Sequence, residues 1–229
     1  MTINEFVELD MTSVKAYMLG MIYPFYTEKT ANNGKTYVLA QVKHKADKIS
    51  EDDILEHHKK VKAFLRESNL ADRIQVVSNQ TEEFGNLSGA MRGFSLLIEK
   101  SSTEESEVTF NKIFKEVNKL KVAGPEIKKF FLKGIFDGRG SMDTNSHLIV
   151  VDYKFQFDNS DMAFNLFSEL VTSLGFELVP NARHEGEKRN PQFRIKTTSL
   201  EKFKTEIGFF SVRRERYLDE MLKELRGEQ

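Results

Sequence analysis

Apolar and polar positions along this chain repeat one order of elements twice. From Ser13, the stretch SVKAYMLGMIYPFY is apolar enough to predict a largely buried helix. Asn33-Gly34 then marks a hairpin turn, and TYVLAQVKHK alternates with the period of a strand. Ser50 opens a second helix, with Asp53 three residues on as an acidic variant of a capping box. Its Ile54, Leu55, His58, Val61, Phe64 and Leu65 are expected to share one face. Two strands, RIQVVSN and RGFSLLIEK, and a helix, VTFNKIFKEVNKLK, complete the unit. The second unit starts at Gly124-Pro125, where Pro suits a first helical turn. EIKKFFLKGIF reads as its opening helix, and strands around Met142 and along LIVVDYKFQF follow. Asn159 or Ser160 caps the helix through MAFNLFSELVTSL, and FELVPNA and PQFRIKTTS lead to the closing helices. The pattern predicts an α+β fold of two αββαββα repeats, over residues 10–121 and 124–226.

The two units align residue by residue in places. Gln41–Lys43 matches Asp152–Lys154, Gly20 matches Gly134, and Pro24 matches Gly138. Each opening helix therefore carries small residues four apart: Ala16, Gly20 and Pro24 in one, Gly134 and Gly138 in the other. Such a ridge lets two helix backbones approach closely. A mid-helix glycine costs about 1 kcal/mol against alanine, so Gly20 and Gly134 call for a packing reason. Gly138 and Gly140, near a helix end, serve equally well as C-caps.

Period-2 alternation sorts the strands into a core face and an outer face. Val38, Ala40 and Val42 are expected inward, with Gln41, Lys43 and Lys45 outward. In the second unit the outward set holds Asp152, Lys154 and Gln156, then Gln192, Arg194 and Lys196. Arg183, Lys188 and Arg189 on a loop, and Arg213, Arg214 and Arg216 near the end, concentrate positive charge in the second half. The matching first-unit strand offers Ser95, Leu97 and Glu99. Gln, Arg and Lys at alternate positions suit base edges and phosphates, although the pattern by itself more often marks an ordinary solvated sheet face.

Composition narrows the field. Nineteen phenylalanines among 229 residues supply a core without covalent staples. The absence of Cys excludes disulfides, Cys-bound zinc and thiol catalysis. The five His show no metal spacing. The opening MTINEFVELD lacks the apolar region of a secretory signal, and no apolar run approaches the roughly 18 residues of a membrane span. A soluble protein of the cytoplasm or another reducing intracellular compartment, without membrane contact, is expected. A net charge of -1 is unusual for a nucleic-acid binder, but 34 Lys and Arg are enough for one basic face.

FFLKGIFDGRGSMD, Phe130 to Asp143, resembles the motif region of the LAGLIDADG homing endonucleases. YMLGMIYPFYTE, Tyr17 to Glu28, is a weaker second match, and FKTEIGFFSVRRERYLDEML resembles the family's closing segment. The resemblance spans roughly residues 10 to 225 and implies a single-chain, monomeric protein. Its two motif helices would pair, and its two sheets would form a saddle over the major groove of double-stranded DNA. It also implies an acid at the foot of each motif helix to hold Mg²⁺ beside the scissile phosphates. This chain has Phe25 and Arg139 at those positions. An aromatic ring does not ligate Mg²⁺, and a guanidinium repels it.

The leading expectation is therefore a sequence-specific DNA-binding protein, deficient in cleavage and without a cofactor. One alternative is an active Mg²⁺-dependent endonuclease using displaced acids, with Glu28, Asp137 and Asp143 as candidates. For Asp137 the competing role is to cap or orient the turn. Further alternatives are a maturase-like RNA binder and a protein-interaction module.

Overall fold

Thr2 and Glu5 form a reciprocal capping box that starts a short helix, α1 (Ile3–Glu8). The hydrophobic pattern does not announce it, because only Ile3 and Phe6 are buried. In this computed structural model, residues 1–45, 49–79, 91–143, 148–152, 160–181 and 192–228 are described. Helix α2 (Ser13–Ile22) is capped by Thr12 and ends in a 3₁₀ turn, Tyr23–Phe25, where Pro24 fits the first turn. Strands β1 (Glu28–Thr30) and β2 (Thr36–Lys45) are joined by a tight connection in which Gly34 takes φ +80°. Helix α3 (Glu51–Glu67) is capped by the Ser50 hydroxyl, which accepts from Asp53 N at 3.1 Å. Strands β3 (Gln75–Ser78) and β4 (Met91–Lys100) and helix α4 (Ser106–Lys119) follow.

The order then recurs. Helix α5 (Pro125–Arg139) leads into β5 (Gly140–Asp143) and β6 (Leu148–Asp152). Helix α6 (Ser160–Ser173), β7 (Leu178–Asn181) and β8 (Gln192–Ile195) come next. Helices α7 (Leu200–Glu206) and α8 (Val212–Arg226) close the chain. Both sheets are four-stranded and antiparallel, with orders β1-β2-β4-β3 and β5-β6-β8-β7. The same strand order in both sheets is the structural form of the repeated hydrophobic pattern.

Paired helices α2 and α5 join the two sheets. A methyl on Gly20 would lie against the Phe131 carbonyl oxygen and 2.9 Å from Ile135 N. A methyl on Gly134 would lie against the Tyr17 carbonyl oxygen and 2.8 Å from its carbon. Backbone meets backbone at both points, so neither position has room for a β-carbon. Ala16 is fully buried, and at Gly138 a methyl would reach the Gln41 carbonyl oxygen at 3.2 Å. Gly140 N caps α5 by donating to Phe136 O. One continuous apolar core runs from Val38, Val42 and Ile98 of the first sheet to Ile149, Phe193 and Ile195 of the second.

Two expectations change at this level. Helix α3 buries His57, Val61 and Leu65, while Leu55 is exposed and His58 only half-buried. Its buried stripe is thus centred on the i, i+4, i+8 set starting at His57. Lys15, on the apolar α2, is 1% exposed. Its ammonium donates to Val7 O at 2.8 Å, Leu9 O at 2.6 Å and Glu116 at 2.7 Å. A buried lysine is tolerable only when its donors are satisfied, and here they tie the start of the chain to α4. Among the described residues, no helix is long and apolar enough to cross a membrane.

Candidate nucleic-acid interface

At the foot of the helix pair, Phe25 ends the turn after α2 and Arg139 ends α5. The Arg139 guanidinium carbon lies 4.3 Å from the centre of the Phe25 ring. That is a cation–π contact. Both side chains are half-buried. The Arg139 Nε is fully shielded and has no acceptor. Burial lowers the Arg139 pKa to about 10. Lys43, on β2, is also half-buried, and its pKa falls to about 8. Burial is the larger cause, followed by the charges of Arg139 and Lys29. Lys29 is exposed on β1. Arg139 and Lys29 thus both add positive potential at Lys43, and among the described residues no carboxylate pairs with Arg139 or Lys43.

The nearby acids are committed elsewhere. Glu28 accepts from Lys100 at 2.9 Å, from Ser106 at 2.8 Å and from the Tyr26 hydroxyl. Asp137 is completely buried. Its carboxylate accepts from Tyr17 Oη at 3.2 Å, Phe210 N at 3.0 Å and Ser211 N at 3.2 Å. It thus pins the turn between α7 and α8 to helix α5. The side chain of Asp143 lies outside the described residues. Mg²⁺ requires an oxygen-rich donor set, and a ring stacked under a guanidinium beside two lysines does not supply one.

Arg214 was an expected DNA contact and requires correction. It is 5% exposed, donating through Nε to Gly140 O at 2.9 Å and through a terminal nitrogen to Asp137 O. Its pKa is lowered to about 10 by burial. The side chain is a fastener between α8 and the end of α5. Two histidines crowd the same region. His57 is 1% exposed, with Nε2 3.9 Å from Asp137, and neither ring nitrogen is hydrogen-bonded. Burial chiefly lowers its pKa to about 4, and His44, 6.4 Å away ring to ring, is lowered further by burial and by Arg214.

Gln41 also requires correction. Strand alternation does separate Val38, Ala40 and Val42 from Tyr37, Leu39 and Gln41, but both sets are buried. Leu39 and Leu97 join Ala31 and Tyr37 in a second apolar cluster on the opposite face. Gln41 Nε2 donates to Ser95 Oγ at 3.2 Å, and Ser95 Oγ donates to Asn79 Oδ1 at 2.6 Å. Asn79 in turn donates to Val42 O at 2.9 Å. Gln41, Ser95 and Leu97 are therefore unavailable to a base edge. Glu99 is engaged with Lys35 at 3.0 Å.

The second sheet differs. Phe193 and Ile195 are buried, while Gln192 and Arg194 are half-buried on the other face. Arg194 donates to Gln192 Oε1 at 2.9 Å, which prearranges the two side chains as one polar unit. Lys196 is exposed and paired with Glu177 at 2.9 Å. Arg213 lies 4.9 Å from the centre of the Tyr217 ring. Lys154, Gln156, Arg183, Lys188 and Arg189, and the side chain of Lys45, lie outside the described residues. Sequence reasoning missed Tyr17, His44, His57 and Lys29, whose roles depend on contacts between distant segments.

Two four-stranded antiparallel sheets joined by one close helix pair have counterparts among solved structures. The fold matches that of the LAGLIDADG homing endonuclease I-DmoI. I-DmoI in complex with DNA and Ca superposes with TM-score 0.54 at 13% identity, over 93% of this chain and 100% of that one. Its complex with DNA and Mn gives 0.52 at 13% identity, over 87% and 98%. A weaker likeness, TM-score 0.49 at 12% identity, covers 97% of this chain and 65% of full-length DUF199/WhiA from Thermatoga maritima. No family model and no curated protein matches the sequence. The likeness to I-DmoI is therefore one of fold, and the chemistry of this chain must be argued from its own side chains.

Proposed function

We propose that this protein is a sequence-specific binder of double-stranded DNA that does not cut it. The observation carrying this reading is the foot of the helix pair, where Arg139 lies over Phe25 with Lys43 close by. A divalent cation is disfavoured there, and a nucleic-acid backbone is favoured. I-DmoI, whose fold this chain shares, is described bound to DNA with Mn or Ca. In this chain the two repeats, residues 10–121 and 124–226, would form both halves of the saddle, so one copy suffices as a monomer.

The two halves would contribute unequally. The first sheet buries Leu39, Gln41, Ser95 and Leu97 on the face opposite the main core. The second presents Gln192, Arg194 and Lys196, with Arg213 near the closing turn. The test is selection of bound sequences from a random duplex pool, with and without Mg²⁺. Recovery of one motif in both conditions, with the DNA intact, is the expected result. Strand breaks at a selected site on adding Mg²⁺ would instead show that displaced acids ligate metal.

A further inference from the structure

We propose that Arg139, Phe25 and Lys43 form a metal-independent site for one backbone phosphate of bound DNA, with the guanidinium and ammonium standing where a metal-binding foot would hold its ion. This inference rests on the DNA-binding reading and adds which atoms meet the backbone at the helix-pair foot. The Arg139 guanidinium carbon lies 4.3 Å from the centre of the Phe25 ring. The Arg139 Nε is shielded from solvent and has no acceptor. A shielded donor with no partner is costly in a folded protein, and an anion on the remainder of this half-buried guanidinium would offset part of that cost. Lys43 and Lys29 add two charges near enough for Lys43 to be affected by both Arg139 and Lys29.

Among the described residues, the local acids do not relieve this charge. Glu28 is satisfied by Lys100, Ser106 and Tyr26, and Asp137 by Tyr17 and the backbone of Phe210 and Ser211. Burial disfavours both cations in the free protein, lowering Arg139 to about 10 and Lys43 to about 8. An anion reverses that penalty. A phosphodiester fits because a guanidinium matches two of its oxygens in a fork, while a lysine supplies a point charge. A purely structural Arg139, serving only to cover Phe25, would leave Lys43 unexplained.

The test uses the selected duplex in EDTA, with single methylphosphonate replacements along both strands. One central replacement is expected to weaken binding by the parent about tenfold, as for loss of a charge-assisted hydrogen bond. The same replacement should have little further effect on Arg139→Met, whose salt slope should be lower by about one. Lys43→Met serves the same purpose if Arg139→Met fails to fold. In a separate arm, inorganic phosphate at fixed ionic strength should raise the Tm of the parent and not that of either variant. Stabilisation by phosphate with no duplex bound would retain the site and remove the DNA reading. Duplex binding whose central-phosphate dependence is unchanged in Arg139→Met and Lys43→Met would overturn the site and leave the DNA reading standing.

Discussion

Arg139 and Phe25, 114 residues apart in the chain, meet with the guanidinium 4.3 Å from the ring centre. They occupy the ends of the paired helices, where the family resemblance would place two carboxylates. The two side chains at these helix ends thus contact each other directly. This contact predicts that purified protein leaves duplex DNA intact in Mg²⁺ or Mn²⁺, as read by gel analysis of its selected site. A Phe25→Asp, Arg139→Asp double variant should lose the salt-dependent contribution of the foot; unchanged salt dependence would show that the foot does not face the backbone.

The Lys43 ammonium predicts opposite effects on stability and binding. Its folded pKa is about 8, below the ordinary lysine value, because of burial and the charges of Arg139 and Lys29. A depressed lysine pKa penalises the fold fully below pH 8, and the penalty fades as pH rises toward the unfolded value. Lys43→Met should therefore raise the denaturation midpoint at pH 7 while weakening duplex binding. A variant that loses stability and keeps its affinity would contradict both roles.

Close packing at Gly20 and Gly134 leaves no room for a methyl group, since the atoms it would meet are backbone. Gly134→Ala should destabilise the protein by roughly 1–3 kcal/mol and Gly134→Leu by more. Chemical denaturation of both variants checks the order. The contrasting variant is Gly34→Ala, at a turn with φ +80° and open space around it. There the cost arises from backbone conformation alone, on the order of 1–2 kcal/mol.

Acid sensitivity follows from the histidines around Asp137. His57 and His44 are both held below the ordinary histidine range, chiefly by burial. Arg214 opposes their protonation, Lys60 and His58 add to this at His57, Arg213 and His57 at His44, while Asp137 favours protonation of His57. Above about pH 6.5 neither protein state protonates them, so they contribute no pH dependence. As pH falls toward about 4, the unfolded chain takes up protons that the fold refuses. Stability should fall by about 1.4 kcal/mol per pH unit for each histidine in that window. His57→Phe should flatten this slope, as measured by denaturation at a series of pH values.

Much of the fold was legible because its signals are local. Asn33-Gly34 and the Ser50–Asp53 cap are decided by neighbouring residues, and two mid-helix glycines demand a close partner whatever its identity. The site was less legible, for three physical reasons. Alternation along β2 separates two faces but does not say whether the second is covered, so Gln41, expected outward, is buried. SVRRER presents similar arginines, yet Arg214 is the one drawn inward, by the carbonyls of Asp137 and Gly140. Adjacent His57 and His58 differ by one helical step, and the packing of His57 against Phe94, His44 and Asp137 buries it.

The central claim is that this fold engages duplex DNA through cations rather than a bound metal. It is tested most directly by the affinity of the selected duplex for the parent and Arg139→Met, each in EDTA and in Mg²⁺. The expected result is parent binding in EDTA that Mg²⁺ does not strengthen and lowers only as a competing counterion, intact strands in both conditions, and weaker binding by Arg139→Met in each. Parent binding that requires Mg²⁺, or cleavage on its addition, would contradict it.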